Sequence, residues 1–279
     1  MDKLKTYLKH PLSFVLLILI GLASIITVAS IIFIIIYILV NGIPNLTTDL
    51  FSLHYNSKNQ SMLPSIFNTV FITFLTLLIA VPIGIFSAVY LVEYAKKGSK
   101  LVKVIRVTTE TLAGIPSIVF GLFGFLAFVI ALGWGYSMIA GVLTLVMMVL
   151  PTIIRTTEEA LLAVPNSYRE GSFGLGAGKI RTIFKIIVPT AIPGILSGVI
   201  LAIGRIVGET AALIYTSGTV AETATSLTDS ARTLSVHLYC LLSEGLFTEQ
   251  AYATAVILLL LVVGINALLN FIAKKLAKK

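Results

Sequence analysis

Residues Ile186 to Tyr215 read IIVPTAIPGILSGVILAIGRIVGETAALIY. A run this long and this apolar exceeds the roughly 20 residues that cross a bilayer as a helix. It carries two charges, Arg205 and Glu209, set between Gly204 and Gly208. Each charge costs about 2.5–3.5 kcal/mol in the middle of a span, so such residues face a bundle interior or a wet cavity rather than lipid. If the helix is continuous, Gly194, Gly198, Leu201, Gly208, Glu209 and Ala212 lie within about 60° of Arg205. The two charges then share a face with small residues, which leave room for a neighbouring helix or a solute.

The rest of the chain agrees with a membrane protein. Of its 279 residues, 57% are hydrophobic and 11% charged, with a mean hydropathy of +1.03. Soluble domains carry about 25% charged residues. Besides the quoted run, apolar segments at 14–40, 66–92, 108–132, 137–155 and 252–273 qualify as spans. The expected fold is therefore all-α and polytopic, with six transmembrane helices. The run 14–40 is too long for the apolar core of a signal peptide and lacks a small-residue cleavage site, so it reads as a retained helix. The turn Gly133-Trp134-Gly135-Tyr136 separates spans three and four and puts two aromatics at the interface.

The net charge of +8 is topological. Lys3, Lys5, Lys9, the group Lys96 to Arg106, the group Arg155 to Lys185 and the C-terminal lysines make seventeen of the twenty cations. All fall on one side if six helices alternate. The positive-inside rule then puts both termini in the cytoplasm of a multi-pass protein of the cell membrane. Nucleic acid is not an expected partner. One cysteine, Cys240, excludes an intrachain disulfide, and His10, His54 and His237 are too scattered for a metal site. No cofactor or metal is expected.

Between spans four and five, residues 156–185 form the longest basic connection. Within it, GLGAGKI (Gly174 to Ile180) suggests a phosphate-cradling loop and fails the test. A Walker A loop needs a glycine where Phe173 stands and Ser or Thr where Ile180 stands. Glu170-Gly171-Ser172, three residues, Gly176, nine residues, then Ile186 to Pro189 follows a different pattern. It resembles the EAA loop of ABC importer permeases, E-A-A-x3-G-x9-I-x-L-P, with Gly171 and Ser172 in place of the alanines and Val188 in place of leucine. The resemblance implies a type-1 (MetI-like) permease fold whose coupling loop docks on a separate ATPase subunit through Glu170, Gly171, Ser172, Gly176, Ile186 and Pro189.

Three further stretches, GIPSIVFGLFG (Gly114 to Gly124), Glu170 to Gly218 and TLSVHLY (Thr233 to Tyr239), are similar to phosphate transport permeases, the PstA type above the PstC type. The likeness covers about residues 66–273, the permease core. Residues 1–65 hold the tail, first span and external loop, and 274–279 a basic tail. The resemblance implies a heterodimeric pore with a PstC-type partner, ABC ATPase subunits, an extracytoplasmic phosphate-binding protein and no enzymatic activity on this chain. The chemistry of Arg205 alone leaves sulfate or molybdate open. An intramembrane enzyme is disfavoured, because no nucleophile elbow or Ser/His/Asp constellation is present; a purely structural subunit is disfavoured by the EAA-type loop.

On this reading Arg205 supplies a planar fork for an oxyanion in the translocation path. Glu209 pairs with it when the path is empty, four residues away on the same helix. The alternative is a structural brace. Thr210 is a hydrogen-bond donor nearby. Glu110, one turn before the Gly114-Ile115-Pro116 break, sits at the cytoplasmic interface or lines an inner gate, and the break bends span three. Gly121 and Gly124 serve helix packing. Segments 41–65 and 217–250 read as solvated external loops, with His54 and His237 in them.

Overall fold

The computed structural model describes residues 11–96 and 98–277. The basic residues Lys3, Lys5, Lys9, Lys97, Lys278 and Lys279 lie outside them. Every regular element among the described residues is a helix. We label them α1 (Pro11–Gly42), α2 (Leu63–Tyr94), α3 (Lys100–Ala113), α4 (Ser117–Ala131), α5 (Met138–Leu162), α6 (Asn166–Gly174), α7 (Lys179–Val207), α8 (Ala211–Thr216), α9 (Leu234–Glu244) and α10 (Thr248–Ala277).

Five of these helices are long and apolar enough to span a membrane, and α3 with α4 makes a sixth, broken by a 102° bend. Span three is thus not one continuous helix. Pro116 has extended backbone, as a residue without an amide hydrogen does when it restarts a helix. α3 turns aside from the bundle. Its Val102 is buried while Leu101, Val104 and Val107 are exposed.

α5 is the central element. Leu145, Met148, Val149 and Ile153 are fully buried, and they pack with Ile72 of α2, Phe120 of α4, and Ala202 and Ile206 of α7. Glycines set the closest approaches. A methyl group on Gly84 would strike Ile153, one on Gly194 would strike Ala160, and one on Gly198 would strike Thr156. Since Gly194 meets Ala160 and Gly198 meets Thr156, α5 and α7 run antiparallel. Burying small residues in this way supplies the van der Waals contact that holds helices together in lipid. At the other extreme, α1 lies along α10, pinned by Gly42 against Tyr252 and Val256. Its remaining surface, with Phe33 at 67% exposure, is apolar.

Two connections differ from a solvated-loop reading. Residues 217–250 fold back onto the bundle. Asp229 and Leu227 offer main-chain carbonyls to the amides of Met138 and Ile139, the first turn of α5. Asn68 of α2 donates to the carbonyls of Glu222 and Arg232 and accepts from the Ala224 amide. These bonds satisfy orphan amides that a helix start otherwise leaves to water. The return leg is α9, where Leu234, Val236 and His237 are fully buried. Residues 41–65 are likewise partly packed, with Leu50 and Met62 buried against Leu234 and Ala253. A hydrophilic composition did not reveal that these chain segments cover helix ends.

Candidate translocation site and coupling end

The register of α5 against α7 fixes the height of Arg205. Counting on from the Gly194–Ala160 and Gly198–Thr156 contacts, Arg205 stands level with Val149, the middle of α5. That is about 16 Å from Met138 at 1.5 Å per residue. Two residues later α7 ends. Gly208 closes it by donating to the Gly204 carbonyl, and Glu209 donates to Ile206. α8 restarts at Ala211, so the span is broken at Gly208-Glu209-Thr210, where Glu209 is buried, Thr210 half-buried and Gly208 exposed.

This break corrects the continuous-helix reading of 186–215 and the Arg205–Glu209 pairing built on it. The i, i+4 relation needs an unbroken helix. Glu209 is only 7% exposed, and its Oε1 accepts the Ala212 amide at 3.0 Å. A carboxylate there satisfies an orphan amide at the start of α8. The Glu209 carbonyl in turn accepts the Ser235 hydroxyl at 2.5 Å, bringing the start of α9 to the break. Arg205 is half-buried and has no ion-pair or hydrogen-bond partner among the described residues. Gly204 beside it has open space where a side chain would stand. Thr210 is half-buried, its hydroxyl 3.5 Å from the Gly208 carbonyl.

α8 packs closely on glycines of its neighbours. A methyl group on Gly121 would meet the main chain of Ala212, and one on Gly124 would meet Thr144 and Thr216. Gly141 is closed by Ser217 and Leu213. Gly121 and Gly124 are thus packing residues, as read from the sequence. The Thr216 hydroxyl bonds its own helix at Ala212, while Ser217 donates to the Ala231 carbonyl.

Glu110 is not part of this site. It lies in a cleft of about 200 Å³ with Arg106, Thr109, Arg155, Glu158, Glu159 and Leu162. Those α5 residues stand roughly 9–20 Å along the helix from the level of Arg205. Arg106 bridges to Glu158 at 2.5 Å and Arg155 to Glu159 at 3.0 Å. The cleft is a charged mouth at the basic end of the bundle.

The same end carries the EAA-type segment. α5 continues to Leu162 and α7 begins at Lys179, so the connection is shorter than 156–185 and holds one helix, α6. Gly176 explains its own place in the motif. It has φ +82°, a left-handed conformation that glycine adopts without strain. The amides of Gly176 and Ala177 bond back to Phe173 and Ser172, a Schellman closure of α6. Ser172 is the one buried residue of α6, its hydroxyl 2.8 Å from that of Thr182. Glu170 and Gly171 are exposed, with Tyr168, Phe173 and Leu175 projecting around them, Leu175 at 91% exposure. Ile186 lies in the wide turn Ile183–Ile187, and Pro189 in the first turn of the helical stretch that follows.

Sequence reasoning missed three participants. Glu93 and Arg169 form a largely buried ion pair that joins α2 to α6, and Ser235 closes the break. Glu93 stands out in the sequence as a lone acid at the end of an apolar run. Ser235 has no such signal.

A helical bundle with a cation at mid-height beside a broken span, and a short exposed helix at its basic end, is the design of a membrane permease subunit. The chain belongs to the family of binding-protein-dependent transport system inner membrane components, which it matches over residues 80–279. It is 32% identical over 277 residues to a probable ABC transporter permease of Bacillus subtilis, YqgI, covering 93% of this chain and 94% of that one. It is 45% identical over 140 residues to the phosphate transport system permease PstA 1 of Mycobacterium tuberculosis, covering 50% of this chain and 45% of that one. Among solved structures, a bacterial ABC importer of alginate matches with a TM-score of 0.60 at 15% identity, covering 91% and 96% of the two chains. The methionine transporter MetNI matches with 0.53 at 19%, covering 77% and 92%. The fold is therefore that of the ABC importer permeases. The chain is a transporter subunit of the inner membrane, and ATP hydrolysis belongs to a separate partner.

Proposed function

We propose that this chain is one half of the pore of an ATP-driven importer of inorganic phosphate, with residues 66–273 as the permease core. The other half would be a PstC-type permease, and a phosphate-binding protein would deliver the anion from outside. The basic end, with both termini, would face the cytoplasm, where α6 meets the ATPase. The similarity to PstA proteins supports the substrate, and the clustering of cations in alternate connections of the sequence supports the orientation.

The observation that carries the reading is Arg205. A guanidinium halfway through a bundle, with no acidic partner among the described residues, is a costly feature that an oxyanion repays in transit. Glu209 acts differently from a resting partner. By holding the start of α8 it keeps the span broken beside Arg205, and a carboxylate close to the path hinders an anion from lodging there. The test is uptake into proteoliposomes containing both permeases, the ATPase and the binding protein. Radiolabelled phosphate should accumulate with ATP, and excess sulfate should not compete. Accumulation of sulfate instead would replace phosphate with another oxyanion.

A further inference from the structure

α6 has almost no hydrophobic attachment. Ser172 is its one buried residue, so the helix is held to the bundle by polar joints. The chief of these is Arg169. Its Nε and Nη2 both donate to Oε1 of Glu93, at 3.0 and 2.7 Å. Nη1 donates to the Val164 carbonyl at 2.9 Å, just beyond α5, and Nη2 also to the Leu161 carbonyl at 3.1 Å, in the last turn of α5. One guanidinium therefore ties three elements together: α6, the end of α5 and the end of α2. Both partners are largely buried, with side-chain exposures of 16% for Arg169 and 10% for Glu93. A buried ion pair adds little net stability compared with apolar residues of the same volume. What the planar fork does add is a fixed direction between its partners.

Glu93 lies in the wide helical turn Tyr90–Tyr94 that ends α2. The next residue, Tyr94, carries Lys179 over its ring at 4.6 Å, so the start of α7 is fastened to the same turn. Above the joint, Ala88 and Val89 pack with Leu161, Ile183, Ile187 and Ala191 in a closed apolar cluster. Further along α2, Leu77 and Val81 pack on Val199, Ile203 and Val207 of α7. Those α7 residues flank Arg205 and end at the break. α2 is thus gripped at its last turn by α6 and lies, at mid-length, against the helix that carries the proposed substrate site.

We propose that Glu93 and Arg169 are the joint through which displacement of α6 is carried into α2 and on to the broken span. They are positioning residues that convert ATPase movement into opening of the path, without touching ATP or solute. This rests on the reading above that α6 is the surface that meets the ATPase. Distortion of the joint leaves α6 free to follow the ATPase while α2 stays behind, so ATP is hydrolysed without transport.

The experiment compares the complete transporter in proteoliposomes with Glu93→Gln, Arg169→Gln and Arg169→Lys variants and with the double exchange Glu93→Arg/Arg169→Glu. Three quantities are read: ATPase co-purified, ATP hydrolysed, and phosphate moved per ATP. Each glutamine variant is expected to keep its ATPase and its hydrolysis but to lose roughly tenfold in phosphate per ATP. Arg169→Lys keeps the charge without the fork and should fall between, and the double exchange should recover part of the ratio. An unchanged ratio in both glutamine variants overturns the joint, and so does loss of the ATPase in step with uptake. The reading of α6 as the docking surface is tested apart, by Phe173→Asp with Leu175→Asp. Retention of the ATPase by that variant removes the docking reading, and an unchanged ratio in the joint variants does not.

Discussion

The hydroxyl of Ser235 and the main-chain carbonyl of Glu209 meet at 2.5 Å, which ties the first turn of α9 to the break between α7 and α8. The segment that follows the break therefore returns to it. Its connecting residues cap α5, and α9 lies alongside α2 and α10. A helix interrupted at membrane depth is tolerated only where its freed groups find partners in the protein or in water. Here Glu209 and Ser235 supply them.

Glu209→Gln keeps a side-chain oxygen that accepts the Ala212 amide. Glu209→Ala does not, and removing a cap of this kind costs about 1 kcal/mol. The alanine variant should melt at a lower temperature in detergent while the glutamine variant stays close to wild type. Equal destabilisation by the two would instead favour a role for the charge itself.

Gly198 and Gly204 lie less than two helical turns apart and predict opposite tolerance. A methyl group at 198 collides with Thr156, whereas at 204 it meets nothing within 4 Å. Overpacking of this kind costs roughly 1–3 kcal/mol. Gly198→Ala should lower folded yield and thermal stability, and Gly204→Ala should leave both unchanged. Monodisperse yield by size-exclusion chromatography reads the difference.

Gly176→Ala places a Cβ at φ +82°, which costs about 1 kcal/mol or more in the left-handed region. The closing turn of α6 loosens while the membrane helices are untouched. The expected outcome is a subunit that inserts normally and retains less ATPase on co-purification.

His237 is fully buried in α9, and burial together with the charge of Arg232 holds its pKa down at about 4. Arg232 Nη1 lies 3.3 Å from Nδ1, and the ring stands edge-on to Tyr55. Because arginine only donates, Nδ1 accepts and the proton sits on Nε2. An unfolded histidine takes up a proton below about pH 6.5, before the folded one does. Stability from this group is therefore full above that pH and is lost progressively as pH falls toward 4. The loss approaches about 3 kcal/mol. Once corrected for the intrinsic pH dependence of amide exchange, protection in residues 217–244 should fall between pH 7 and 5, and His237→Gln should flatten that dependence.

Hydropathy makes the long helices legible, because lipid leaves no other way to satisfy a backbone. The EAA-type spacing marked the segment proposed to meet the ATPase, and the structure gives Gly176 its physical reason there. The break at Gly208 was not legible. Helical periodicity continues through GRIVGET, and only the packing of Ala212 on Gly121 and the bonds of Glu209 to Ala212 and Ser235 make interruption the lower-energy path. Arg205 was legible as an intramembrane cation, but not that it lacks Glu209 as a partner. The folded-back segment 217–250 was hidden by its polar composition, since its bonds run through main-chain carbonyls such as Leu227 and Asp229, which carry no side-chain signature.

Arg205 is proposed to receive the anion midway through the bundle. The direct measurement is phosphate uptake by proteoliposomes holding the complete transporter with Arg205→Ala, alongside the amount of ATPase retained and the stability of the complex. Assembly and stability should match wild type while uptake falls by roughly 100-fold or more, with partial recovery in Arg205→Lys. Wild-type uptake by Arg205→Ala would contradict it and leave the arginine as a structural feature of the broken span.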